Sequence, residues 1–283
     1  MRRVLILLLV LLGAGFFGFY FSKKKIEFVR EKRTHQSYFT QLDFYERAFK
    51  NNLPEIQRKS FKAVVVNHHL LAPDVLLKGL YAVLIDSPRR VYIVSPNHFG
   101  TGRGRIVSSG LAWETPYGVL DADVDEVMRL EQLGVVKVES DVLDGEHGVS
   151  SLTAFIKSIS PTSKIVPLVI RQNVHVEDLR ELLANLDTVQ SVVVASVDFS
   201  HYMDTEKTRI NDENVIISLQ AFDKQRLLRA EVDSPQSLWV MIGFCEKLGD
   251  TKFEIFAHSS TLERFPNANP SDNTSWVSGG CYN

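Results

Sequence analysis

Ser191-Val192-Val193-Val194-Ala195-Ser196-Val197-Asp198-Phe199-Ser200-His201-Tyr202 is an apolar, β-branched run that stops abruptly at an aspartate and a histidine with hydroxyl neighbours. A run this short, rich in valine and bounded by polar turn formers, reads as a strand buried on both faces. Residues 63–66, 91–95 and 165–170 have the same character, and 253–257 reads as a final strand. Between them lie stretches with helical apolar spacing at 75–85, 123–133, 149–159, 176–186, 212–228 and 236–248. Strand and helix in alternation predict a single α/β domain with a mostly parallel sheet flanked by helices.

The polar residues gather where those strands end. Asn67-His68-His69 follows 63–66, Ser95-Pro96-Asn97-His98 follows 91–95, and Asp198 with His201 follows 191–196. Asp144-Gly145-Glu146-His147-Gly148 opens the helix at 149–159. In a parallel sheet the carboxyl ends of the strands line one edge, where ligands bind. Imidazoles there hold metals or move protons. Each segment also has a plainer reading. Pro96-Asn97 is a turn signal, and the acidic residues before His147 are natural helix caps. Adjacent His68 and His69 point opposite ways in extended chain, so strand register decides which faces the site. In Glu231-Val232-Asp233-Ser234-Pro235, Asp233 is either a helix cap or a functional carboxylate. His35, His175 and His258 lack a strand-end context and read as structural or solvated. Trp113-Glu114-Thr115-Pro116-Tyr117-Gly118 reads as a loop that walls a pocket.

Composition narrows the chemistry. Of 283 residues, 45% are apolar and 23% charged, and the net charge is −2, which gives no footing for nucleic acid. The only cysteines, Cys245 and Cys281, signal neither a thiolate zinc cluster nor a disulfide framework, so nitrogen and oxygen must hold any metal. At the N-terminus Arg2 and Arg3 precede an uncharged run over residues 4–22, closed by Lys23, Lys24 and Lys25. Such a run spans nearly a hydrocarbon core of ~30 Å as a helix, and predicts a single-pass anchor over 1–25 and a membrane location. Basic residues on both sides leave the side of the membrane open. Residues 26–60 mix charge with aromatic positions and read as a helical stalk, leaving 61–283 as the α/β domain.

Five motifs in order carry a resemblance: Asn67-His68-His69-Leu70-Leu71-Ala72, Ser95-Pro96-Asn97-His98, Thr115-Pro116-Tyr117-Gly118, Glu146-His147, and Ser196-Val197-Asp198-Phe199-Ser200-His201-Tyr202. Together they resemble the Memo family, also described as AmmeMemoRadiSam system protein B. That resemblance implies a fold similar to class III extradiol dioxygenases and a pocket lined by His68, His98, His147 and His201 that binds iron or copper. It also implies genomic company with a radical SAM protein. Animal members carry a cysteine in the segment that matches 232–238, and this chain has Asp233 there. Two histidines and a carboxylate form the facial triad of non-haem ferrous sites, whereas a site without a thiolate suits Cu(I) less well. The expectation is therefore that His68, His98 and Asp233 hold a divalent metal, Fe(II) ahead of copper. His201 would act as acid/base oriented by Asp198, and His147 would form a second polar wall. Two other readings use the same pocket: a non-catalytic module that binds a peptide or protein, and a membrane-tethered store for copper or iron.

Overall fold

Alternation along the central strands sorts their side chains onto two faces, as extended backbone requires. Ala63, Val65, Tyr92, Val94, Val193 and Ala195 face one apolar layer, while Val64, Val66, Val91, Ile93, Val192 and Val194 face the other. Every one of these side chains is buried, so the strands are covered on both sides. A computed structural model describes residues 33–52 and 59–283. Its strands in chain order are β1 (His35–Gln36), β2 (Ala63–Val66), β3 (Arg90–Pro96), β4 (Ile106–Ser108), β5 (Trp113–Thr115), β6 (Gly118–Leu120), β7 (Lys137–Val138), β8 (Lys164–Ile170), β9 (Ser191–Ser196), β10 (Lys252–Ser260) and β11 (Ser275–Tyr282).

The main sheet has the order β10-β11-β2-β9-β3-β8-β4-β7, and β1, β5 and β6 form a small second sheet. Its four central strands, β2, β9, β3 and β8, run parallel. β7 is parallel to β4, whereas β11 is antiparallel to β2, β10 to β11, and β4 to β8, so the sheet is mixed with a parallel centre. Helices Leu42–Asn51, Pro73–Leu84 and His147–Ile159 cover one face, and Val124–Gln132, Val176–Asn185, Thr205–Gln220 and Pro235–Leu248 the other. Thr34–Asn283 form one compact unit that includes the helix Leu42–Asn51, through the buried Tyr45 and Ala48.

β11 is hard to read from Ser275-Trp276-Val277-Ser278-Gly279-Gly280-Cys281-Tyr282 because the adjacent glycines interrupt its strand-favouring Trp, Val and Tyr. Its glycines are there for close approach: a Cβ on Gly279 would lie 2.6 Å from the Glu254 carbonyl oxygen, and one on Gly280 2.9 Å from a Val64 methyl. The cysteines also differ from expectation. Cys245, on helix Pro235–Leu248, and Cys281, on β11, form a disulfide with Cα atoms 6.1 Å apart. Only the packing of that helix against the sheet brings together two residues 36 apart in sequence.

The expected membrane anchor over residues 4–22 lies outside the described residues. No helix among the described residues is long and apolar enough to cross a membrane. A span takes about 20 apolar residues, and helix Thr205–Gln220, at 16 residues, exposes Glu206, Lys207 and Arg209. The preceding transmembrane helix and the membrane location built on it find no support among the described residues.

One packing contact ties the fold to the site. Gly148, in the first turn of helix His147–Ile159, sits so close to β3 that a Cβ there would meet Ser95 Oγ at 2.1 Å and Glu146 Oε1 at 3.2 Å. Gly148→Ala is expected to destabilise the fold by about 1–3 kcal/mol, the usual cost of overpacking. Thermal unfolding checks it, with an expected drop of several degrees in Tm.

Candidate functional site

Because β2, β3 and β9 are parallel, the residues that follow them emerge at one edge of the sheet. There His68, His98, Asp198 and His201 meet His147, at the start of helix His147–Ile159, and Asp233, just before helix Pro235–Leu248. They line a cavity of about 510 Å³, together with His69, Tyr202, Met203 and Glu231.

Each of three imidazoles has its Nδ1 occupied. His68 Nδ1 lies 3.1 Å from Ser196 Oγ, whose own proton goes to the Gly148 carbonyl at 2.5 Å. Ser196 is therefore the acceptor, and Nδ1 of His68 carries the hydrogen. His98 Nδ1 is 2.5 Å from Glu146 Oε1, and His201 Nδ1 donates to the Phe199 carbonyl at 3.0 Å. In all three rings Nε2 is left for the cavity, the arrangement in which a partner on one nitrogen fixes the tautomer presented by the other.

Nε2 of His68 lies 3.2 Å from Asp233 Oδ2 and 3.5 Å from Asp198 Oδ2, and Nε2 of His98 lies 3.8 Å from Asp233 Oδ2. The other Asp233 oxygen, Oδ1, is buried without a hydrogen-bond partner. His147 stacks on His98 with ring centres 3.9 Å apart and stands 5.2 Å from His68. One nitrogen from each of His68, His98 and His147 falls within 4.8 Å of the others, and one atom from each of His68, Asp198 and Asp233 does the same. The buried histidine cluster is thus able to hold a metal ion. Nitrogens already oriented by acceptors, beside Oδ2 of a buried carboxylate, form a donor set of the kind that metal ions take.

The electrostatics follow from burial. Desolvation pushes His68 well below the usual histidine range, and the neighbouring His98 and His147 push it further. For His98 burial opposes the charge, but hydrogen bonds to Asp233 and Glu146 outweigh it and the ring is pushed up to about 9. Burial lifts Asp233 to about 7 and raises Asp198. Burial opposes the Glu146 charge, but its bond to His98 prevails and holds it low. Burial also lowers His147 and His201, which favours neutral rings at pH 7.

Of the adjacent pair, His68 is 3% exposed and faces the cluster, while His69 is exposed and stacks on Trp276. Asp198 also holds backbone. Its Oδ1 accepts from the backbone N–H groups of His68 and His69, at 3.1 and 3.4 Å, and the His201 ring is held by Phe199. His147 sits among the potential ligands rather than only as a wall. Sequence reasoning missed two supports. Glu146 caps its helix by accepting from Gly148 N–H and also takes both the N–H and the ring of His98. Ser196 is the other, and nothing in the residues 191–196 marks it as more than the end of a strand.

The sequence profile described as Memo-like protein matches residues 37–268. A MEMO1 family protein of Caldivirga maquilingensis is 27% identical over 62% of this chain and 66% of its own length, and one from Aquifex aeolicus is 29% identical over 50% and 55%. A third, PAE0818 of Pyrobaculum aerophilum, is 28% identical over 74% of this chain and 79% of that protein. The chain thus matches about half to two thirds of the length of the first two. The crystal structure of an uncharacterized protein, JW3007, from Escherichia coli K12 superposes with a TM-score of 0.51 at 15% identity, over 77% of this chain and 99% of that one, and is similar in fold. With the profile covering most of its length, this chain belongs to the Memo-like protein family.

Proposed function

We propose that this chain binds a divalent metal through Nε2 of His68 and Nε2 of His98 with an oxygen of Asp233, and that a small molecule enters the adjoining cavity for dioxygenase-like redox chemistry at Fe(II). The observation that carries this reading is the common orientation of the imidazoles, each with Nδ1 tied to an acceptor and Nε2 turned to one cavity. Ferrous iron in a set of two histidines and one carboxylate supplies redox chemistry with open positions for dioxygen and substrate.

The chain's own residues do the rest. Glu146 and Ser196 keep the two ligand rings from rotating, and Asp198 holds the backbone that carries His68. His201, neutral and with Nε2 bare, is placed to accept a proton from a hydroxyl of the bound molecule. His147 stacks on His98 and restricts its ring. A second reading has its own observation: the three-histidine grouping of His68, His98 and His147 suits copper or iron held without turnover.

Metal content measured after anaerobic purification separates the two. On the proposed reading wild type takes up stoichiometric iron, and His98→Ala and Asp233→Ala each bind it more weakly by more than about 100-fold. His147→Ala keeps most of it. Loss of metal in His147→Ala with retention in Asp233→Ala would favour the three-histidine reading. Where oxygen uptake with a catechol-like substrate is seen, His201→Gln is expected to reduce kcat by about 10²–10⁴-fold while the iron stays bound. No substrate-dependent oxygen uptake by an iron-loaded protein would overturn the catalytic part.

Proton competition gives an independent test. Without metal, His98 is protonated up to about pH 9 and Asp233 ionises near 7. Bound metal requires both groups deprotonated, so its uptake releases protons. Affinity should therefore rise between pH 7 and 9, by about tenfold per pH unit for each proton displaced, and level off above 9. Isothermal titration in two buffers of different ionisation enthalpy counts the protons. A flat affinity across that window would exclude His98 as a ligand.

A further inference from the structure

His35 read as a structural or solvated residue, yet it is 1% exposed and both of its ring nitrogens are engaged. Its ring lies 4.3 Å from that of Trp113. Two backbone bonds fasten its strand to the β5 segment, from His35 N–H to the Ala112 carbonyl and from Ser37 N–H to the Glu114 carbonyl. Nδ1 is 2.6 Å from Asp144 Oδ1, and Nε2 is 2.8 Å from Ser109 Oγ. The Ser109 hydroxyl in turn donates to Ser140 Oγ at 2.9 Å. Ser140 and Asp144 are the first and last residues of one five-residue helix. His35 therefore grips that helix at both ends, directly at Asp144 and through Ser109 at Ser140.

Two residues beyond Asp144 stands Glu146, whose N–H bonds back to the Leu143 carbonyl of the same helix. Glu146 is the carboxylate that takes the His98 backbone N–H at 3.0 Å and its ring Nδ1 at 2.5 Å. We infer that His35 is a positioning residue for the histidine site, setting the orientation of His98 by way of the helix Ser140–Asp144 and Glu146. A buried carboxylate that orients a ligating imidazole must itself be held, or the ring it fixes regains rotational freedom. A further backbone tie from this segment runs the same way, from Tyr38 N–H to the Ser150 carbonyl on the helix that begins with His147.

This inference rests on the metal-site reading, and its test has one readout that needs no metal. Proton NMR of the metal-free full chain follows the His98 Nδ1–H held by Glu146, and Co(II) titration follows the site. In His35→Ala and in the shape-preserving Asp144→Asn, that proton is expected to move upfield and exchange faster, and Co(II) affinity to fall about 10–100-fold with a changed Co(II) absorption spectrum. Tyr92→Phe is the control for a merely destabilised fold: its hydroxyl bonds Glu126 near the other ends of the strands. It should lower Tm and leave both readouts unchanged. Adding His35→Ala to Glu146→Gln should cost little beyond Glu146→Gln alone, because both act on one path. An unmoved His98 proton in folded Asp144→Asn, an equal shift in Tyr92→Phe, or additive losses in the double variant would each overturn the inference. If wild type takes up no Co(II), the metal reading fails and the His98 proton still decides the role of His35.

Discussion

A carboxylate that is 1% exposed is costly unless its charge is met by donors, and the site is organised around how Glu146 meets that condition. It accepts from the N–H of Gly148 at the start of one helix and from the N–H and ring of His98 at the end of β3. One side chain thereby locks a helix to a strand end and fixes a tautomer. The close seat of Gly148 on Ser95 makes this possible, since a side chain at 148 would push the helix away from the strand.

The same economy recurs across the sheet edge. Ser196 joins His68 to the carbonyl of Gly148, so His68 and His98 are both referred to the first turn of one helix. Asp198 gathers the backbone of His68 and His69, and Asp198 and Asp233 bond each other through their main chains and through the Asp233 carboxylate. The cluster is rigid because few of its polar groups lack a partner. Asp233 Oδ1 is buried there without one. The same carboxylate turns Oδ2 toward Nε2 of His68 and of His98, and a buried carboxylate with one oxygen unmet and the other among imidazole nitrogens is what a cation would satisfy, which supports the proposed function.

Support for the site also comes from outside the sheet. The buried His35 belongs to a short strand paired with β5, far in sequence from the residues whose geometry it influences. At the opposite ends of the strands, Arg90, Asp123, Glu126 and Tyr92 form a separate buried polar network. That network holds the base of the sheet, and the chemistry collects at the carboxyl ends, where the parallel strands deliver their following residues together.

The sequence by itself determined the central strands, because valine-rich runs bounded by polar turns have few other uses, and their ends marked His68, His98, Asp198 and His201. The motif order carried the family, and Asp233 was visible as a carboxylate before a helix. Local pattern could not reveal β11, whose glycines answer to contacts with β10 and β2 rather than to strand propensity, nor the three-residue strands, nor the Cys245–Cys281 pairing. It could not separate His68 from His69, assign Glu146 and Ser196 to the rings they hold, or lift His35 from the background. Those are matters of which atoms meet across 36 to 128 residues of chain, as with Cys245 to Cys281 at 36, Gly148 to Ser196 at 48 and His68 to Ser196 at 128. Periodicity reports which face of an element is buried, and only the packed structure decides which buried donor finds which acceptor.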